Sequence, residues 1–172
     1  MHTFLQGERN IGKSTVIRKT LDILAEKRPV SLGGFFTWKS GEADPLVYMR
    51  PAGKPDESGV FLIAGFDAGT GRMAGDLRAF ETEGVRILRG CDGARLIIMD
   101  ELGKFESDAP LFRQAVLDIL AGDVPVFGVL RLGDAPWLGP IRSDPSVSLI
   151  DVNMDNRGDL PLRLAARLME II

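Results

Sequence analysis

The chain has 172 residues, 45% of them hydrophobic and 26% charged, and 21 basic against 24 acidic side chains leave a net charge of −3. These proportions belong to a globule that buries its own core; they exclude a disordered chain and a general nucleic-acid binder, which needs a clustered basic excess. One cysteine, Cys91, excludes an internal disulfide; one histidine, His2, excludes a His-rich zinc site and argues against a Ser-His-Asp triad.

Residues 3–6 read as a strand that stops at Gly7. Residues 12–27 place Val16, Ile17, Leu21, Ile23 and Leu24 at helical spacing, with Pro29 just past the expected stop. Residues 30–38 are strand-like, and Gly33-Gly34 within them marks a bulge or a close backbone approach. In the segment 40–59, a short strand at 46–49 lies between loops punctuated by Gly41, Pro45, Pro51, Gly53, Pro55 and Gly59. A strand at 60–66, a loop at 69–71 and a helix at 76–88, with Gly84 inside it, complete the first half.

The second half alternates more clearly. Residues 95–99 form a buried-type strand, 109–120 a helix, 125–130 and 146–152 strands, and 160–172 an amphipathic helix capped by Asp159 with Pro161 in its first turn. Apolar strands alternating with helices predict an α/β fold. One domain, residues 1–172, should carry a mainly parallel sheet with helices on both faces. No run approaches the ~20 apolar residues of a membrane span, and the start lacks the basic residues and long apolar stretch of a secretory signal. The expected location is the cytoplasm, with neither membrane nor nucleic acid as a partner.

Two segments carry chemistry. Gly7-Glu8-Arg9-Asn10-Ile11-Gly12-Lys13-Ser14 matches the phosphate-binding loop (Walker A) pattern, between a predicted strand and a predicted helix. Its glycines let backbone N–H groups close around phosphate oxygens at a helix N-terminus, and the nucleotide contacts should run from Gly7 through Thr15. Lys13 adds a point charge for the outer phosphates, and the Ser14 hydroxyl suits Mg²⁺. Further on, Leu96-Ile97-Ile98-Met99 leads into Asp100-Glu101, a Walker B pattern that puts an aspartate for Mg²⁺ at the carboxyl end of a buried strand. On an extended strand, adjacent carboxylates point to opposite sides. Bringing both to the phosphates should therefore require a turn starting at Leu102-Gly103.

With these residues in place the chain resembles the THEP1-type nucleoside-triphosphatase family. That family follows its phosphate loop with G-F-x-T, then D-E-I-G-K-M-E, then N-R. Here these read Gly34-Phe35-Phe36-Thr37, Asp100-Glu101-Leu102-Gly103-Lys104-Phe105-Glu106 and Asn156-Arg157. The resemblance implies a RecA-like sheet and Mg²⁺-dependent hydrolysis of nucleoside triphosphates to diphosphate and phosphate. It also implies that Glu101 activates the water. Departures from the family are Glu8, Arg9 and Asn10 inside the loop, where Glu8 would repel polyphosphate if it faced it. Trp38 and Lys39 stand where acidic residues are usual, and 39–59 is poorly matched.

Lesser candidates are Lys104 and Glu106, on the nucleotide or bracing the Glu101 loop, and Arg157, near the nucleotide. Arg131 is weighed as a transition-state charge, with the balance against it. Phe35, Phe36 and Trp38 are read as core before base-stacking, and Cys91 as structural. Two other readings of the same loop stand beside hydrolysis: a small-molecule or nucleotide kinase, and a nucleotide-gated binding module with slow hydrolysis.

Overall fold

The computed structural model describes residues 1–41, 45–54, 59–133 and 135–172. Its frame is an eight-stranded sheet ordered β5-β4-β3-β2-β6-β7-β1-β8. The strands are β1 (His2–Gln6), β2 (Leu32–Ser40), β3 (Leu46–Pro51), β4 (Phe61–Asp67), β5 (Arg72–Gly75), β6 (Leu96–Leu102), β7 (Val126–Leu130) and β8 (Val147–Asp151). From β2 across to β8 every pairing is parallel, whereas β2 through β5 form an antiparallel meander. The parallel half carries the expected signature: Leu96, Ile97, Ile98 and Met99 are all buried, because helices cover both sides of their strand.

On one face, α1 (Lys13–Lys27) packs on α6 (Leu160–Ile171). Val16, Ile17 and Leu24 meet Leu160, Leu164 and Leu168 in a shared core that includes Leu5, Ile98 and Val129. On the other face, α4 (Pro110–Leu120) sets Phe112 against Phe35 and Phe80, with ring centroids 5.8 and 5.1 Å apart.

Several elements differ from the sequence reading. The strand expected at 30–38 runs from Leu32 to Ser40, because it continues as a hairpin partner of β3. The loop at 69–71 is followed by β5, which pairs with β4 but is too short to show an alternating pattern. The helix expected at 76–88 is α2 (Leu77–Ala79), a π-helical turn (Phe80–Gly84) and α3 (Val85–Arg89), with the Asp76 carboxylate accepting the Ala79 N–H at 3.0 Å as N-cap. Gly84 belongs there for packing: a Cβ would lie 2.8 Å from the Phe112 ring. A 3₁₀ turn (Pro136–Leu138) and α5 (Gly139–Ser143) are additional. Of the 40–59 segment, 42–44 and 55–58, Pro55 included, lie outside the described residues.

His2, the single histidine, is buried. Its Nε2–H donates to the Leu120 carbonyl at 3.1 Å and its Nδ1 accepts the Val126 N–H at 3.2 Å, so the neutral ring is satisfied. Burial, then the N-terminal ammonium, lower its pKa from 6.5 against the opposing pull of the Leu120 bond and Asp144. A depressed histidine contributes stability above its unfolded pKa that is lost as pH falls through 6.5 toward the folded value. The buried Glu106 carboxyl, pushed up to about 7, acts with the opposite sign. The difference between wild type and His2→Gln isolates the histidine. In urea titrations the wild type should lose stability relative to His2→Gln on acidification below pH 6.5; parallel curves would contradict this.

Candidate active site

Strand β1 ends at Gln6, and the chain turns through residues 7–12 before α1 begins. The turn requires positive φ at Gly7 (143°), Asn10 (62°) and Gly12 (108°), a region that glycine and asparagine tolerate best. Among the described residues no side chain caps α1, so its first N–H groups remain free at the positive end of a 15-residue helix, which favours an anion. Lys13 lies along the loop, its ammonium donating to the Gly7 carbonyl at 2.9 Å and the Glu8 carbonyl at 2.7 Å. One of its three protons remains to point elsewhere. Burial lowers its pKa, against the attraction of Glu101 and with the repulsion of Arg131.

From the first turn of α1, the Ser14 hydroxyl donates to Asp100 Oδ1 at 2.9 Å. Asp100 is 1% exposed, and among the described residues its Oδ2 has no hydrogen-bond partner. Burial pushes this carboxyl up to about 6, with the Ser14 bond opposing. A buried carboxylate oxygen without a partner is a costly arrangement unless something completes it. With a hydroxyl and a carboxylate converging, the donors are the hard oxygens Mg²⁺ prefers. Among the described residues no group of three or more His, Cys, Asp or Glu could hold a metal alone. That suits an ion which takes one or two protein oxygens and completes its shell from phosphate and water.

Glu101 follows, and both carboxylates line one cleft. The expected turn at Leu102-Gly103 is not the means. Strand β6 continues through Leu102, and between Met99 and Leu102 it spends three residue steps where β7 spends two, from Gly128 to Leu130. This one-residue bulge breaks the alternation that would have separated the pair. The Glu101 N–H donates to Thr37 Oγ1 at 3.2 Å, which gives the threonine of Gly34-Phe35-Phe36-Thr37 a positioning contact. Just beyond, the Gly103 peptide is clamped at both ends: its N–H donates to the buried Glu106 carboxylate, and its carbonyl accepts the Trp137 indole N–H at 2.8 Å. Glu106 therefore braces the Glu101 loop, one of its two expected roles.

The cleft has a volume of about 520 Å³. Gly7, Arg9, Asn10, Gly12, Lys13, Ser14 and Thr15 line it, whereas Glu8 and Ile11 do not. Glu8 is exposed, so the repulsion considered for its carboxylate is not built into the cleft; its carbonyl serves Lys13 instead. Arg9, Lys13, Lys39, Lys104 and Arg131 face the carboxylates of Asp100, Glu101 and Glu106 there. A cationic excess inside a chain of net charge −3 suits polyphosphate. Arg131, discounted on sequence, stands with its Nη1 3.5 Å from Glu101 Oε1. Lys104 lines the same cleft with its ammonium 5.6 Å from the centre of the Phe105 ring.

Arg157 is elsewhere. Its guanidinium donates to the Ile11 carbonyl at 3.4 Å, so it touches the loop from outside the cleft. Phe35 is core and Phe36 lies under the Arg50 guanidinium, but Trp38, stacked on Tyr48 with centroids 5.7 Å apart, lines the cleft. The Cys91 sulfur accepts the Gly34 N–H at 3.1 Å, and burial pushes its thiol pKa up, as a structural residue requires.

A family model described as NTPase matches residues 2–165. The chain is 30% identical to a protein named nucleoside-triphosphatase THEP1 from Thermofilum pendens, over 98% of this chain and 95% of that one. It is 31% identical to the Methanosarcina barkeri protein of the same name, over 96% and 95%. The crystal structure of THEP1 from Aquifex aeolicus superposes with a TM-score of 0.78 at 23% identity, covering 98% of this chain and 99% of that one, and supports the fold.

Proposed function

The chain belongs to the NTPase family, and from that premise we propose that it hydrolyses nucleoside triphosphates to diphosphate and phosphate with Mg²⁺, using the cleft between the phosphate loop and Asp100-Glu101. The observation that carries this reading is the pairing of Ser14 with a buried Asp100 whose second oxygen lacks a partner among the described residues, directly beside Glu101. When bound, Mg²⁺ supplies positive charge to the outer phosphate oxygens. Backbone N–H groups of the loop residues that line the cleft, from Gly12 to Thr15 at the start of α1 and at Arg9 and Asn10, cradle the phosphates, and Lys13 directs its free proton to the outer ones. Ser14 and Asp100 hold the ion. Glu101, fixed through its N–H by Thr37, orients the attacking water and takes its proton at the carboxylate. Water oxygen bonds to the terminal phosphorus as the bridging P–O bond breaks, its electron pair leaving on the diphosphate. Positioning and charge stabilisation supply most of the acceleration in such a transfer.

Among the described residues no helix is long and apolar enough to cross a membrane. We place the protein in the cytoplasm, acting as one domain on a free nucleotide. Phosphate release from a panel of nucleoside triphosphates, with Mg²⁺ and after chelation by EDTA, tests the reading. The expected result is equimolar phosphate and diphosphate without any added acceptor, abolished by EDTA. Diphosphate that forms only with an acceptor would make the protein a kinase, and binding without turnover would make it a nucleotide-gated module.

A further inference from the structure

Arg131 is the first residue after β7, and β7 lies between β1, which feeds the phosphate loop, and β6, which ends in Asp100-Glu101. The sheet order thus delivers this guanidinium into the gap between the two halves of the site. Its backbone is held on both sides. The N–H donates to the Leu102 carbonyl at 2.9 Å, and the carbonyl accepts the Arg142 guanidinium. Its stem runs beside Gly103, where a Cβ would lie 3.1 Å from Arg131 Cδ. Among the described residues, the end of the side chain is loosely engaged: one nitrogen approaches Glu101 at 3.5 Å, with the two side chains 32% and 33% exposed. A single long contact at that exposure is a weak tether, and a guanidinium has five N–H donors. Lys13, by contrast, already gives two protons to loop carbonyls.

We infer that Arg131 contacts the terminal phosphoryl group and stabilises the charge that spreads over its oxygens, so the chain carries its own charge donor and needs no activating partner. This rests on the hydrolytic reading above. In the step, Glu101 takes the water proton, the bridging P–O bond breaks toward the diphosphate, and Arg131 neither gains nor loses a proton. Its planar fork suits two equatorial oxygens, which the point charge of a lysine does not reproduce. Pairing with Glu101 before the nucleotide arrives holds both groups at the reacting end of the cleft.

The test compares Arg131→Ala and Arg131→Lys with wild type, each checked for folding by circular dichroism. Phosphate release by Arg131→Ala should fall roughly 10²- to 10³-fold in kcat with little change in KM; Arg131→Lys should recover only part of that, and added guanidinium should partly rescue the alanine variant. A second readout does not depend on turnover. Aluminium fluoride should tighten nucleoside diphosphate binding to wild type, read from the emission of Trp38 and Trp137, whereas Arg131→Ala should keep diphosphate affinity and lose that gain. Turnover per chain should not rise with protein concentration. An alanine variant within about 3-fold of wild type in kcat, or one that keeps the fluoride effect, would overturn the inference and leave Arg131 as a brace for Glu101. Turnover that climbs with concentration would overturn it too, assigning the charge to a second copy. An inactive wild type would instead sink the hydrolytic reading itself, so the two failures are distinguishable.

Discussion

Glu101→Gln should bind a nucleoside triphosphate about as tightly as wild type and hydrolyse it at least roughly 10²-fold more slowly. The substitution keeps the volume of the side chain and the backbone N–H that donates to Thr37, so the bulged end of β6 retains its support. What it removes is the acceptor for the water proton and the negative partner of Arg131. Losing that carboxylate makes the cleft more positive, which if anything favours the ground-state nucleotide. A group that acts on the attacking water alone lowers the rate without weakening binding, and a binding group does the reverse. Single-turnover hydrolysis beside isothermal titration separates these outcomes. Wild-type hydrolysis by the variant would remove Glu101 from the mechanism.

Lys13→Ala should lose both binding and turnover, each by about 10²-fold or more, while remaining folded. Alanine has the highest intrinsic helix propensity, so the substitution gives α1 no reason to unravel. The damage is local and double. The outer phosphates lose a cation, and the Gly7 and Glu8 carbonyls lose the donor that draws the loop around its own side chain. Nucleotide titration and thermal melting of the same sample check the two halves of the expectation. Unchanged affinity in a folded variant would mean that residues 7–14 do not receive the phosphates.

How far the sequence reached depended on whether a feature is written locally. The phosphate loop is: positive φ at Gly7 and Gly12, and a helix directly after them, are demands of neighbouring residues. Asp100 was equally readable, since four buried apolar residues lead into it. Arg131 was legible only as a cation at a strand end, because its place between the two halves of the site depends on β7 lying between β1 and β6, and strand order is a property of the whole sheet. For the same reason the direction of Glu8, set by the path of the loop, and the bulge that aligns Asp100 with Glu101, set by pairing with β7, emerge only in three dimensions. The interrupted helix at 77–89 turns on a contact between Gly84 and Phe112, residues 28 apart in a count no local window spans.

The pairing of β1 carries a consequence for how the protein is made. Among the described residues its strand neighbours are β7 and β8, so β1 must wait for strands that follow it by 124 residues or more. The Ser14–Asp100 bond likewise joins residues 86 apart. Contacts this distant in sequence slow folding, because chain entropy is lost before they repay it. The meander from β2 to β5, linked by sequential antiparallel pairings, faces no such delay. A chain that stops short of β7 and β8 therefore carries the phosphate-loop sequence without the strands that frame its pocket, and so without the pocket that would give it chemistry.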